Sequence, residues 1–104
     1  MKKFLNAFLV GGLLISSTAA FAGKVTLTVE FDRAKIKFRQ IDTEVTPVCT
    51  FKRMVAERLN IKMKEFNLRR SGSLLRADNM LSDHRIHSGS IIKVEKVSYS
   101  SQCR

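Results

Sequence analysis

Leu81-Ser82-Asp83-His84-Arg85-Ile86 sets two apolar residues around a short polar turn, and its Ser82-Asp83 is suited to cap a single helical turn. Downstream, Gly89-Ser90 interrupts the chain before an alternating segment, Ile91 to Val97, with Ile92 and Val94 on one face. Upstream, Phe66-Asn67-Leu68-Arg69 reads as a short strand, Ser71-Gly72-Ser73 as a turn, and Leu74-Leu75-Arg76 as a second short strand. Further back the period lengthens. Thr46 is placed as a helix N-cap with Pro47 in the first turn. Val48, Phe51, Val55 and Leu59 then recur at spacings of three, four and four, so one stripe of a helix faces a sheet. Ahead of the helix, Val25, Leu27, Val29 and Phe31 alternate with Thr26, Thr28 and Glu30. Asp32-Arg33 makes a tight turn, and Lys35 to Arg39 alternates again with Ile36 and Phe38 inward, which completes a β-hairpin. The order is strand, strand, helix, strand, strand, strand. It predicts an α+β domain with a sheet and one helix on one face.

From Ile61 to Val94 the chain resembles ubiquitin without a gap. Leu68, Gly72, Leu75, Leu81-Ser82-Asp83, Ile86, Ser90, Ile92 and Val94 fall on that family's strand, turn and core positions. The hairpin and helix fit as well, so the resemblance spans residues 23–97. It implies a ubiquitin-like β-grasp domain, a mixed sheet of four to five strands with one helix packed on one face. Conjugating members of the family end in a flexible Gly-Gly. Here the aligned positions are Ser100 and Ser101, and the chain continues to Gln102-Cys103-Arg104. The family's most used chain-linking lysine aligns with Ser73, and another aligns with Ser88. These departures argue against a protein-modifier role, and against sulfur carriage through the same Gly-Gly end.

The binding face departs too. Ubiquitin is read through an apolar patch on the outer face of its sheet, and at the central positions this chain has Arg69, Lys93 and Glu95. The second strand adds Lys35, Lys37 and Arg39, which alternate with inward residues and therefore point outward. The expected exposed face is cationic, with Thr26 and Thr28 in the gap between its charged strands. A receptor built for an apolar patch would have to bury unpaired charges there. Basic residues on an exposed sheet also guard against edge-to-edge aggregation, so the charge alone does not prove a site.

The first 22 residues carry a different message. Lys2 and Lys3 precede an apolar run from Phe4 to Ile15, followed by Ser16, Ser17, Thr18 and the small-residue pattern Ala20-Phe21-Ala22. This is the pattern of a cleavable secretory signal, with cleavage after Ala22. The apolar run is shorter than the roughly 20 residues that a membrane span requires, so no transmembrane segment is expected after cleavage. Residues 1–22 are therefore expected to be removed, residues 23–97 to fold, and residues 98–104 to form a tail carrying Cys103, with a periplasmic or secreted destination. Without Lys2 and Lys3, 17 basic residues stand against 9 acidic ones, a formal charge of +8. Such a balance favours an anionic partner, whether a protein or another surface.

Cys49 and Cys103 are the only cysteines. In an oxidising compartment an intramolecular disulfide is the leading reading, and an intermolecular bond or two free thiols are the others. No cofactor is expected, and no catalytic residues stand out. His84 and His87, beside Asp83, supply too few ligands for a zinc site. With Tyr99 and the phenylalanines of the core as the remaining aromatics, no platform stacks nucleic-acid bases, so no specific nucleic-acid partner is expected. The sequence thus points to a non-enzymatic exported binding domain that contacts a macromolecular partner through Lys35, Lys37, Arg39, Arg69 and Lys93. The alternatives are an accessory or structural subunit of an exported assembly, or a metal- or thiol-dependent factor using His84, His87 or Cys49.

Overall fold

The structure, a computed structural model, describes residues 24–103. The expected leader, the expected new N-terminus at Gly23, and Arg104 lie outside those residues. Strands β1 (Lys24–Phe31) and β2 (Ala34–Asp42) are followed by helix α1 (Val48–Leu59) and a 3-10 turn (Met63–Glu65). Then come β3 (Phe66–Arg70), β4 (Ser73–Leu74), a second 3-10 turn (Leu81–His84) and β5 (Ile91–Lys96). The five strands form one sheet in the order β2-β1-β5-β3-β4. Only the β1–β5 pairing is parallel, so the sheet is mixed, as expected.

The β1–β2 hairpin turns through Asp32 and Arg33, both at positive φ (49° and 71°). Two left-handed residues give a turn whose twist matches that of the flanking strands. β2 runs beyond Arg39 to Asp42, because Gln40 at φ 57° forms a bulge that turns Ile41 back inward. The helix stripe is as expected at Val48, Phe51 and Val55, all fully buried, while Leu59 packs at the core's margin. The helix start differs from expectation. Pro47 occupies the cap position and precedes the helix, and Thr46 offers no side-chain cap. Instead the Val48 N–H donates to the Asn79 carbonyl at 2.9 Å, so a crossing loop satisfies a donor that a capping side chain would otherwise take.

Leu81 and Ile86 are buried around the second 3-10 turn, and Asp83 Oδ2 accepts the Met80 N–H at 2.9 Å. Asp83 therefore caps the turn, whereas Ser82 contributes its backbone N–H to the Thr43 carbonyl. Leu27, Val29, Phe66, Leu68, Ile92 and the α1 stripe complete the core between helix and sheet. That arrangement leaves the opposite sheet face to solvent.

Candidate functional site

The outer sheet face carries all five basic residues singled out in the sequence, Lys35, Lys37 and Arg39 by alternation and Arg69 and Lys93 by the resemblance. Lys35, Lys37, Arg39 and Lys93 are exposed, and Arg69 is partly so. Strand register places them in rows. One row reads Lys35, Glu30, Lys93, Arg69 across β2, β1, β5 and β3. At about 4.8 Å per strand, that row spans roughly 14 Å. Lys37 lies one row further, beside Thr28, and Arg39 beyond it at the bulge.

Two carboxylates change the character of this face. Glu30 stands between Lys35 and Lys93, so the gap between the charged strands holds a carboxylate as well as Thr26 and Thr28. Glu95 accepts the Arg69 Nε–H at 2.9 Å and the Asn67 amide at 3.3 Å. The hydrogen bond from Arg69, then that from Asn67, holds the Glu95 carboxyl below its ordinary range. Arg69 also donates to the Gly72 carbonyl at 3.0 Å, so its guanidinium is committed within the domain. Beside it, Arg69, Lys93, Glu30 and Glu95 surround a shallow hollow with Ile91 on its wall. The basic residues without a carboxylate beside them in the strand register, Lys37 and Arg39, lie on the edge strand β2.

The second feature is the docking of the tail, of which the sequence reading expected the Cys49–Cys103 bond but not the side-chain contacts. The chain beyond β5 is not a free tail. Val97 N–H donates to the Glu65 carbonyl at 2.9 Å, and Ser100 N–H to the Lys64 carbonyl at 2.7 Å. Ser100 and Gln102 are buried. β4 is only two residues long, which leaves the β3 edge at Leu68 short of a full partner strand. The Gln102 side chain fills that place. Its Oε1 accepts the Leu68 N–H at 2.9 Å, and its Nε2 donates to the carbonyls of Leu68 (3.2 Å) and Leu75 (2.5 Å). A primary amide offers an acceptor and two donors, the same complement that a passing peptide group would bring.

Under this strap lies Lys52, fully buried on α1. Its Nζ donates to Ser100 Oγ at 3.0 Å and to the Gln102 carbonyl at 2.6 Å, and sits 5.1 Å from the centre of the Phe66 ring. Burial lowers its pKa from 10.5 to about 8. Ser100 Oγ in turn donates to Asn67 Oδ1. The Cys49–Cys103 disulfide closes the strap against the first turn of α1, with the Cα atoms 5.4 Å apart. The intramolecular pairing favoured by the sequence is the one present.

No protein-family model and no curated protein sequence matches the chain. Solved structures do. A ubiquitin-like domain of an Arabidopsis thaliana protein superposes with a TM-score of 0.63 at 24% identity, covering 70% of this chain and 77% of its own. The C-terminal ubiquitin-like domain of human 2′-5′-oligoadenylate synthetase-like protein gives 0.65 at 15% identity, covering 77% and 91%. A de novo design based on ubiquitin gives 0.64 at 10% identity, covering 76% and 95%. The fold is ubiquitin-like. These identities establish the fold alone.

Within this ubiquitin-like domain the remaining sequence candidates have structural tasks. His84 Nε2 accepts the Arg76 N–H at 2.9 Å, and His87 Nδ1 lies 3.1 Å from the Ser88 carbonyl. Among the described residues no three metal-ligating side chains cluster. Cys49 is consumed by the disulfide. Among the described residues no helix is long and apolar enough to cross a membrane.

Proposed function

We propose that the chain is an exported, non-enzymatic ubiquitin-like binding module that offers a surface, and not its C-terminal end, to a macromolecular partner. The docked tail carries this reading. Conjugation and sulfur carriage both need an extended, flexible terminus that enters an activating enzyme. Here the last turn before Arg104 is tied by Gln102, by the Lys52 contacts and by a disulfide. Export after cleavage at Ala22 agrees with that bond, since disulfides persist in oxidising compartments.

The surface on offer is the basic sheet face, centred on Lys35, Lys37, Arg39 and Lys93, with Arg69 as a paired flank. An acidic protein or other anionic surface fits it, because such a partner gains from the uncompensated charge on β2. Capture of partners from an exported-protein extract by the immobilised domain tests this reading. The triple reversal Lys35→Glu, Lys37→Glu, Lys93→Glu should abolish capture, and capture by the parent should fall steeply with added salt. Undiminished capture by the folded triple variant would reduce the face to a solvated surface.

A further inference from the structure

The strap creates a second surface. Between the Met63–Glu65 turn and the docked tail runs an open cleft of about 380 Å³, lined by Lys62, Met63, Lys64, Tyr99, Ser100 and Cys103. That volume sits at the low end of ligand-binding clefts, room for a bulky side chain and little more. Its lining is mainly apolar. Met63 and Cys103 pack against the core from below, and Tyr99 is 57% exposed beside them. Lys62 and Lys64, both exposed, stand along one wall. The carboxylate of Glu65 is turned to the start of its own helical turn, where it accepts the Lys62 N–H at 3.3 Å.

We propose that this cleft is a docking site for an acidic peptide segment of another protein, one that inserts a single apolar side chain flanked by carboxylates. Charge complementarity selects the acidic flanks: Lys62 and Lys64 are the charged groups of the lining, and the two lysines carry the same sign. The apolar floor selects the central residue. A carboxylate side chain placed over Met63 and Cys103 would lose hydration without a partner, so the acidic groups belong at the rim. The site is distinct from the sheet face, since none of its lining residues lies on a strand. It also depends on the covalent state of the chain. Cys103 and Ser100 hold their places through the disulfide and the contacts of the strap, so the cleft exists only while the tail is docked.

The probe is a capped peptide of sequence Asp-Asp-Phe-Asp-Asp, titrated into the isotopically labelled, oxidised protein and followed by amide chemical shifts. The expected result is saturable perturbation centred on Lys62, Met63, Lys64 and Tyr99, with the amides of Lys35, Lys37 and Lys93 unmoved. Lys62→Glu with Lys64→Glu should weaken binding by about tenfold or more, while the disulfide and the fold remain. Replacing the central phenylalanine of the peptide by serine should also lose the response. Three results would overturn the proposal: no perturbation at millimolar peptide, perturbation centred on the sheet face, or equal response to the serine peptide. The second of these would leave the sheet-face reading intact, and failure of sheet-face capture would not touch this one.

Discussion

Gln102→Ala isolates the device on which the docked tail depends. The substitution removes one acceptor and two donor bonds while leaving the backbone of the strap and the disulfide in place. The Leu68 carbonyl keeps its bond from the Leu75 N–H at 3.0 Å. The Leu68 N–H and the Leu75 carbonyl lose their partners in a fully buried setting, for Leu68 and Leu75 are 0% and 1% exposed. Leaving a buried group unsatisfied costs about 1–3 kcal/mol. Two such groups, taken towards the lower end of that range, give a loss of about 3 kcal/mol. In a domain of this size that corresponds to a fall in melting temperature of roughly 12–24 °C. Urea unfolding at equilibrium, with the disulfide intact, measures it. Ser101→Ala, at an exposed neighbour, should change stability by less than about 0.5 kcal/mol. A Gln102→Ala variant as stable as its Ser101→Ala control would refute the reasoning, since the amide would then satisfy nothing that water cannot.

Replacing Cys49 and Cys103 together by serine opens a closure between residues 54 apart in sequence, and unfolding should show a loss of about 4 kcal/mol; a loss under about 1 kcal/mol would mean that the strap holds without its staple. Lys52 makes stability depend on pH in a definite direction. Its folded pKa is lowered from 10.5 to about 8, so between those values the unfolded chain holds a proton that the folded chain has released, and stability rises with pH. Measured against Lys52→Met across that window, the parent should gain at most about 3 kcal/mol, the two oxygens on Nζ offsetting part of the burial. A pH-independent difference would contradict it.

The parts of this structure that were legible from sequence are those governed by short-range periodicity. Of the residues expected inside, Leu27, Val29, Phe38, Val48, Phe51, Val55, Leu81 and Ile86 are buried, while Val25, Phe31, Ile36 and Leu59 are only partly buried at the core's margin. Alternation sent Lys35, Lys37 and Arg39 outward and the resemblance did the same for Arg69 and Lys93, and the first three and Lys93 are exposed while Arg69 is partly so. The same alternation put Glu30 outward, but its place between Lys35 and Lys93 emerges only from cross-strand register, which pairs residues far apart in sequence. The helix cap was missed for a related reason. Thr46-Pro47 looks like a local cap, yet the donor at Val48 is satisfied by Asn79, thirty-one residues away. The strap was least legible. Gln102 in an otherwise polar tail carries no periodic signal, and its partners on Leu68 and Leu75 lie 34 and 27 residues back. Lys52 did carry one: it sits four residues after Val48, on the flank of the buried stripe, where a lysine needs a special partner.

Amide hydrogen exchange of the oxidised protein tests most directly whether the chain offers a surface and not an end. The amides of Leu68, Ser100 and Gln102 donate to Gln102 Oε1, the Lys64 carbonyl and Ser100 Oγ respectively. If the tail is part of the folded body, those three amides exchange slowly, with protection approaching that of core amides in β3 and β5. Exchange of Ser100 and Gln102 at the rate of an unstructured chain, with Leu68 unprotected beside them, would return the C-terminus to solution and contradict the account.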